Sequence, residues 1–205
     1  MNATDMQADE LALAKAPFLP SLSSAAPRPP LSPSMTAWAA GSALVHDDGS
    51  PRIFFHGTRV EFDEFRPSRS GLFGAGIYLT SSFEDAREYC DHDAQIMHVV
   101  VRMTRPFYAM ADYGPGEAID IDTPAIGFIR ELFGEDAETT IDHLAVHSEA
   151  HLHDEVAQQL SRLGHDGAVI RWRDGMEHVL VLDPANIRVL KSAAPPPLRA
   201  KSRRP

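Results

Sequence analysis

The chain has little of several features that would assign it to a common class. Its 205 residues include a single cysteine, Cys90, which excludes an intrachain disulfide and a zinc site built on several cysteines. No stretch approaches the roughly 18 consecutive apolar residues of a membrane-spanning helix. The first residues also lack the basic and then apolar pattern of a Sec-type signal peptide. We therefore expect no membrane insertion, in a protein that is cytoplasmic or exported without such a signal.

Basic residues are also in the minority. Lys and Arg number 19 against 29 Asp and Glu, for a formal net charge of −10. This balance argues against a general nucleic-acid binder, because phosphate backbones need a basic surface. His143, His147, His151 and His153 recur at near-helical steps, but no His-Glu-x-x-His pattern accompanies them. We predict no metal site from them.

The amino-acid composition divides the sequence into three parts. Residues 1–50 are rich in Pro, Ser and Ala, which predicts a disordered arm with at most a short helix over 9–16. Residues 51–192 have the size and apolar content of one folded domain. Residues 193–205 are Pro-rich and then basic, which is typical of a tail.

Within the domain, apolar β-branched runs alternate with turn signals. They predict strands over 53–55, 77–80, 96–103, 168–172, 179–182 and 187–190. Helices are predicted over 83–90, where Ser82 is the N-cap candidate, over 124–133 and over 151–163. Strands outnumber helices, which indicates an α+β domain with a mainly antiparallel sheet system.

Three short motifs lie at the edges of these strands. They are Phe-His-Gly-Thr at 55–58, Gly-Ile-Tyr-Leu-Thr at 76–80, and a run opening with Glu177 at 177–183. In this order, His56, Tyr78 and Glu177 resemble the catalytic signature of ADP-ribosyltransferases of the His-Tyr-Glu type, the class of diphtheria toxin and the poly(ADP-ribose) polymerases. The resemblance implies a split antiparallel β core with a few flanking helices.

The resemblance also implies NAD as a co-substrate whose nicotinamide–ribose bond breaks through an oxocarbenium-like transition state. Glu177 would bind the 2′-hydroxyl of the nicotinamide ribose and stabilise the developing cation. Tyr78 would stack on the nicotinamide ring. Tyr89, eleven residues further on, matches the second ring tyrosine of the poly(ADP-ribose) polymerases.

The same resemblance gives a role to each residue of the first motif. His56 would hydrogen-bond the adenosine ribose, and Gly57 would pair through its backbone with the nicotinamide carboxamide. The Thr58 hydroxyl would support that amide.

The glycines at 71, 74 and 76 precede a strand, whereas a Rossmann fingerprint follows one. We interpret Gly76 as part of the turn that delivers Tyr78 to the ligand. Arg66 and Arg69 in the preceding loop are candidates for contact with the NAD phosphates.

The predicted function is mono-ADP-ribosylation of a macromolecule, with a protein acceptor favoured over a nucleic acid. Gly175 stands where arginine-specific transferases carry Glu or Gln, so an arginine acceptor loses support. The short chain resembles bacterial effectors or toxins, which act in a host or competitor cytosol. Two alternatives remain open: an NAD glycohydrolase, and a catalytically idle module that binds NAD or a partner. RNA 2′-phosphotransferases share the fold class, but their additional Arg and His residues are not recognisable here.

Overall fold

A computed structural model describes residues 31–60, 62–90, 96–111, 123–147 and 154–190. Its α-helices are α1 Pro33–Trp38, α2 Phe83–Glu88, α3 Thr123–Phe133, α4 Ala137–His147 and α5 Asp154–Arg162. Its strands are β1 Ile53–Gly57, β2 Ile77–Thr80, β3 Ile96–Val101, β4 Pro106–Met110, β5 Gly167–Arg171, β6 Glu177–Val181 and β7 Ile187–Leu190. The α+β class predicted from the sequence is confirmed.

The strands form one sheet in the order β4-β5-β6-β2-β1-β3-β7. Neighbouring strands run antiparallel throughout, except that β4 and β5 are parallel. The mainly antiparallel sheet is therefore also confirmed. None of the described helices is long and apolar enough to cross a membrane.

The sheet is split between β1 and β2. These strands share one directly opposed pair, Phe55 and Thr80, whereas β1 and β3 are paired along all five residues of β1. Beyond Phe55 the two strands diverge, and the His56 ring bridges the gap by a hydrogen bond from Nδ1 to the Tyr78 carbonyl, 2.8 Å long. The divergence opens a cleft where the first two sequence motifs meet.

Each face of the sheet carries its own apolar core. On one face, which we call the helical face, α3, α4 and α5 pack over β4, β5 and β6 through residues such as Phe128, Leu160 and Leu180. On the other, which we call the opposite face, residues such as Phe54, Val179 and Val181 pack together. Successive residues of one strand therefore belong to different cores, as the two-residue period of a strand requires.

Helix α2 is short and is fixed by its N-terminus. The Ser82 hydroxyl accepts a hydrogen bond from the Asp85 backbone N–H at 3.2 Å, as predicted for an N-cap. Glu84 and Asp85 lie in the first turn, where negative charge is favourable. The helix contacts β1, and Ala86 is buried at this contact.

Three elements were absent from the sequence prediction. Strand β4 and helix α4 lie between β3 and β5, on either side of the helix predicted over 124–133. Helix α1 and the buried Leu44 lie within the segment assigned to the N-terminal arm, and the Ala43 N–H donates to the Met103 carbonyl at 2.6 Å. Packed chain thus begins before the boundary predicted at residue 51. The predicted helix over 9–16 and the tail over 193–205 lie outside the described residues.

Candidate active site

The cleft at the split consists of two adjoining cavities that share His56, Ser68 and Tyr78 in their walls. The first has a volume of about 360 Å³, and we call it the Tyr89 cavity after a residue found in its wall alone. The second has a volume of about 640 Å³, and we call it the Arg66 cavity for the same reason. Two cavities that share wall residues suit a ligand with two ends.

Tyr78 is held in the cleft by its hydroxyl. This group donates to the Gly74 carbonyl at 2.6 Å and accepts from the Phe73 N–H at 2.9 Å. Gly71 lies so close to the phenol that a Cβ there would overlap it. Burial raises the pKa of Tyr78, so the phenol stays protonated near neutral pH. Its hydroxyl is committed to the loop, and the ring is what Tyr78 offers a ligand.

Tyr89 lies across the cavity named after it, at the end of α2. Its side chain is 57% exposed, as expected for a ring at the mouth of a cleft. The wall beside it depends on Gly57, because a Cβ at that position would overlap the Ala86 carbonyl oxygen and lie 3.1 Å from the Tyr89 Cβ. Gly57 therefore permits the close approach of β1 to α2.

His56 lies between the two cavities. Its Nδ1 must donate to the Tyr78 carbonyl because a carbonyl oxygen can only accept. In the neutral ring Nε2 is then an acceptor, suited to a sugar hydroxyl. Burial lowers the pKa of His56, although the hydrogen bond to Tyr78 acts in the other direction. The ring packs edge-on against Phe62 and Phe65.

Of the remaining residues predicted to bind the ligand, some line the cleft and one does not. Thr58 and Gly76 line the Arg66 cavity, but the Thr58 hydroxyl is engaged locally, donating to the Val60 carbonyl at 2.9 Å. Arg66 lines the same cavity, beside the carboxylates of Asp63 and Glu64. Arg69 is exposed and is not among the described wall residues of either cavity.

Glu177 is not brought together with the other predicted residues. Its side chain is fully buried on the opposite face, where Arg171 donates to Oε1 from Nη2 at 2.8 Å and from Nε at 3.1 Å. Arg52 donates to Oε2. Both carboxylate oxygens are thus ion-paired away from the cleft. This differs from the position that the family resemblance implies.

Strand parity explains this placement. Tyr78 is directly opposed to Leu180, and Thr80 to His178, and opposed residues project from the same face of a sheet. The Tyr78 face therefore receives His178, and the adjacent Glu177 must point the other way. The alternation of β6 places Glu177 and His178 on opposite faces, but which of the two shares the face of Tyr78 depends on the pairing of β6 with β2, which the sequence does not give.

Sequence reasoning missed three polar residues on the helical face of the sheet. His178 and Asp85 line the Tyr89 cavity, and His178 Nε2 lies 2.9 Å from Asp85 Oδ2. The buried Trp172 donates from its indole Nε1 to His178 Nδ1 at 3.2 Å. Trp172, His178 and Asp85 thus form a hydrogen-bonded chain that ends in a carboxylate at the cavity wall.

Of the four histidines considered as metal ligands, one has a side chain that the structure describes. His143 is exposed on α4, whereas His147, His151 and His153 have no described side chain. In the part of the chain that the structure describes, no cluster of three or more His, Cys, Asp or Glu is arranged to hold a metal ion.

A split α+β sheet with a tyrosine-lined cleft agrees with an ADP-ribosyltransferase domain. Residues 46–195 match the family described as "ADP-Ribosyltransferase in polyvalent proteins", and the chain belongs to this family. No curated protein matches the sequence. The solved crystal structure of an anti-CRISPR protein is similar at 15% identity, with 67% of this chain and 94% of that chain covered and a TM-score of 0.35.

Proposed function

We propose that the chain is an NAD-dependent mono-ADP-ribosyltransferase that modifies a protein, with a ligand-binding half of the His-Tyr-Glu type. Family membership supports ADP-ribosyl transfer, for which NAD is the co-substrate. The observation that carries the proposal is the meeting of His56, Gly57, Tyr78 and Tyr89 at one cleft. These residues come from two strands and a helix end, and the split in the sheet brings them together.

In this proposal nicotinamide occupies the Tyr89 cavity against the face of Tyr78. A fixed aromatic ring favours a cationic pyridinium through cation–π attraction of roughly 0.5–2 kcal/mol. The His56 Nε2 accepts from a ribose hydroxyl at the junction of the cavities. The adenosine end extends into the Arg66 cavity, where Arg66 can contact phosphate and the carboxylates of Asp63 and Glu64 can accept from sugar hydroxyls.

The acceptor is proposed from charge. A chain with a net charge of −10 is a poor match for a polyanionic nucleic acid, which favours a protein acceptor. The resemblance to bacterial effectors and toxins extends the proposal to action in a host or competitor cytosol. Export of the full chain from its producing cell, compared with a variant lacking residues 1–30, tests that extension.

The test uses NAD⁺ carrying a label in its adenosine part, incubated with the full chain and a cell lysate. We expect label on a discrete protein band. Tyr89→Ala should lose the band, because its ring forms part of the cavity wall. Leu163→Ala, at a side chain that is 45% exposed and absent from the wall of either cavity, is the control and should retain it. Label recovered only as free ADP-ribose would identify a glycohydrolase and contradict the transferase.

One observation favours a second candidate, a module that binds NAD without turning it over. The buried Glu177 is sealed between Arg52 and Arg171, so the cleft lacks the carboxylate that the His-Tyr-Glu pattern would supply. NAD⁺ binding that is abolished by Tyr89→Ala, without nicotinamide release by the unmodified chain, would establish this function instead.

A further inference from the structure

The Tyr89 cavity contains a carboxylate of its own. Asp85 lines it together with His178, and their side chains are 18% and 12% exposed. Asp85 belongs to α2 and His178 belongs to β6. The hydrogen bond between them therefore holds the Asp85 carboxylate at a fixed position beside Tyr78 and Tyr89.

Trp172 determines which nitrogen of His178 carries a proton. An indole N–H can only donate, so His178 Nδ1 must accept the hydrogen bond from Trp172. A ring that makes both of its hydrogen bonds therefore carries its proton on Nε2 and donates it to Asp85. Protonation of Nδ1 would place two N–H groups against each other and break the bond to Trp172.

The consequence is a net charge on the wall of the cavity. A neutral imidazole orients the Asp85 carboxylate without neutralising it, so the pair keeps one negative charge. Burial acts to raise the pKa of Asp85, but the hydrogen bonds that its carboxylate accepts from the His178 imidazole and the Thr80 hydroxyl act to lower it, and the pKa lies below its ordinary value. Burial, together with the charges of Asp85 and Glu88, raises the pKa of Tyr89, as expected if the carboxylate faces the tyrosine.

We infer that Asp85 is the catalytic carboxylate of this chain, in place of Glu177, and that His178 and Trp172 are its positioning residues. The inference rests on the proposed function. The anion that the developing sugar cation requires is then the Asp85 carboxylate on α2. It lies on the helical face of the sheet and is held there by His178, the residue after Glu177 in β6. Preorganised charge of this kind is commonly the largest contribution to catalysis.

The reaction balances with these groups. The bond between C1′ of the ribose and the nicotinamide nitrogen breaks, and its electron pair goes to nicotinamide, which leaves neutral. A bond forms between C1′ and the oxygen or nitrogen of the acceptor. The proton of that acceptor atom passes to the Asp85 carboxylate and then to water, so no further reagent is needed.

A purely structural role for Asp85, joining α2 to β6, makes different predictions. Asp85→Asn keeps an oxygen that accepts from His178 and Thr80 but removes the charge. Glu84→Gln is a matched control, because it removes the same charge from the same helical turn at a residue outside the cavity wall, with a side chain that is 71% exposed. Nicotinamide release from NAD⁺ measures the chemistry without knowledge of the acceptor.

We expect Asp85→Asn to reduce turnover by about 10²–10³-fold, the range for loss of one preorganised group. The Kd for NAD⁺ should change far less, and Glu84→Gln should behave as the unmodified chain. Equal turnover in Asp85→Asn and Glu84→Gln, with release intact in the unmodified chain, would overturn this inference and leave the proposed function standing. Absence of release from an unmodified chain that binds NAD⁺ would overturn both.

Nitrogen-15 spectra of the histidine side chains provide a readout that is independent of turnover. We expect His178 to show a protonated Nε2 and an unprotonated Nδ1 in the unmodified chain. Trp172→Phe should remove this preference and lower turnover more than it weakens NAD⁺ binding. A proton found on Nδ1 of His178 in the unmodified chain would overturn the positioning roles.

Discussion

Glu177 and His178 are neighbours in β6, yet their side chains lie on opposite faces of the sheet. Glu177 is fully buried between two arginines, whereas His178 lines the Tyr89 cavity. A shift of one residue in the pairing of β6 with β2 would exchange their positions. The register Thr80 opposite His178 therefore decides which of the two residues lines the Tyr89 cavity.

Glu177→Gln should strongly destabilise the fold, because it leaves the charges of Arg52 and Arg171 buried without their shared counter-ion. Removing one partner of a buried ion pair costs about 3–5 kcal/mol. The free energy of unfolding in urea measures the loss.

The control for this prediction is Glu138→Gln. Glu138 pairs with Arg130 at 2.9 Å, but its side chain is 70% exposed, and exposed pairs contribute about 0–1 kcal/mol. A Glu177→Gln variant with unchanged stability and abolished nicotinamide release would instead put Glu177 in the reaction.

Gly57→Ala should both destabilise the chain and weaken NAD⁺ binding. The added Cβ overlaps the Ala86 carbonyl oxygen, which is backbone and cannot rotate away, so β1 and α2 must separate. Overpacking of this kind costs about 1–3 kcal/mol, and the separation deforms the cavity wall. Thermal unfolding and titration with NAD⁺ measure the two effects.

Gly49→Ala is the comparison for that variant. Gly49 has φ of +78° and open space around its Cα, so alanine there strains the backbone without touching the cleft. It should lower stability and leave the Kd for NAD⁺ unchanged. Equal Kd values for Gly57→Ala and the unmodified chain would mean that the cavity does not bind the dinucleotide.

Much of the fold could be predicted from local pattern. Strand β2 and helix α2 carry strong signals, an apolar run with its turn glycines and an N-cap with acidic residues after it, and both formed where expected. Strand β4 was missed because its Pro106 and Tyr108 break a clear alternation. It pairs with β5, which is distant in the sequence, and local sequence pattern cannot predict such a pairing.

The sequence predicts which residues belong to the site motifs, but not the face of the sheet on which each side chain lies. His56 and Tyr78 meet because each sits at the cleft edge of its own strand. Glu177 was assigned from its place in the family's motif order, and a motif does not reveal the face to which a strand residue points. That face depends on a register between β6 and β2, which are separated by about a hundred residues.

Tyr78→Phe should lower the free energy of unfolding by about 1–3 kcal/mol, the range for leaving a buried polar group without its partner. The change leaves the Gly74 carbonyl and the Phe73 N–H without the hydrogen bonds that they make with the Tyr78 hydroxyl. Tyr89→Phe at an exposed ring should change stability by less than about 0.5 kcal/mol. Urea unfolding of both variants checks the contrast, and equal losses would show that the loop does not depend on the Tyr78 hydroxyl.

Acidification should destabilise the chain through His56. Burial lowers the pKa of His56 in the folded state, so between that pKa and the unfolded value of about 6.5 the unfolded chain binds more protons. Stability is therefore fully present above about pH 6.5 and is lost as the pH falls toward the folded pKa. One such proton contributes a slope of at most about 1.4 kcal/mol per pH unit.

The variant His56→Gln isolates this contribution. The pKa of His98 is also lowered by burial, but His98 is present in both proteins and cancels from their difference. Urea unfolding from pH 7.5 to 5 should give a shallower dependence on pH for the variant, and an equal dependence would contradict a buried, neutral His56. NAD⁺ affinity of the unmodified chain should fall over the same range, because protonation of Nε2 removes the acceptor that we assign to a ribose hydroxyl.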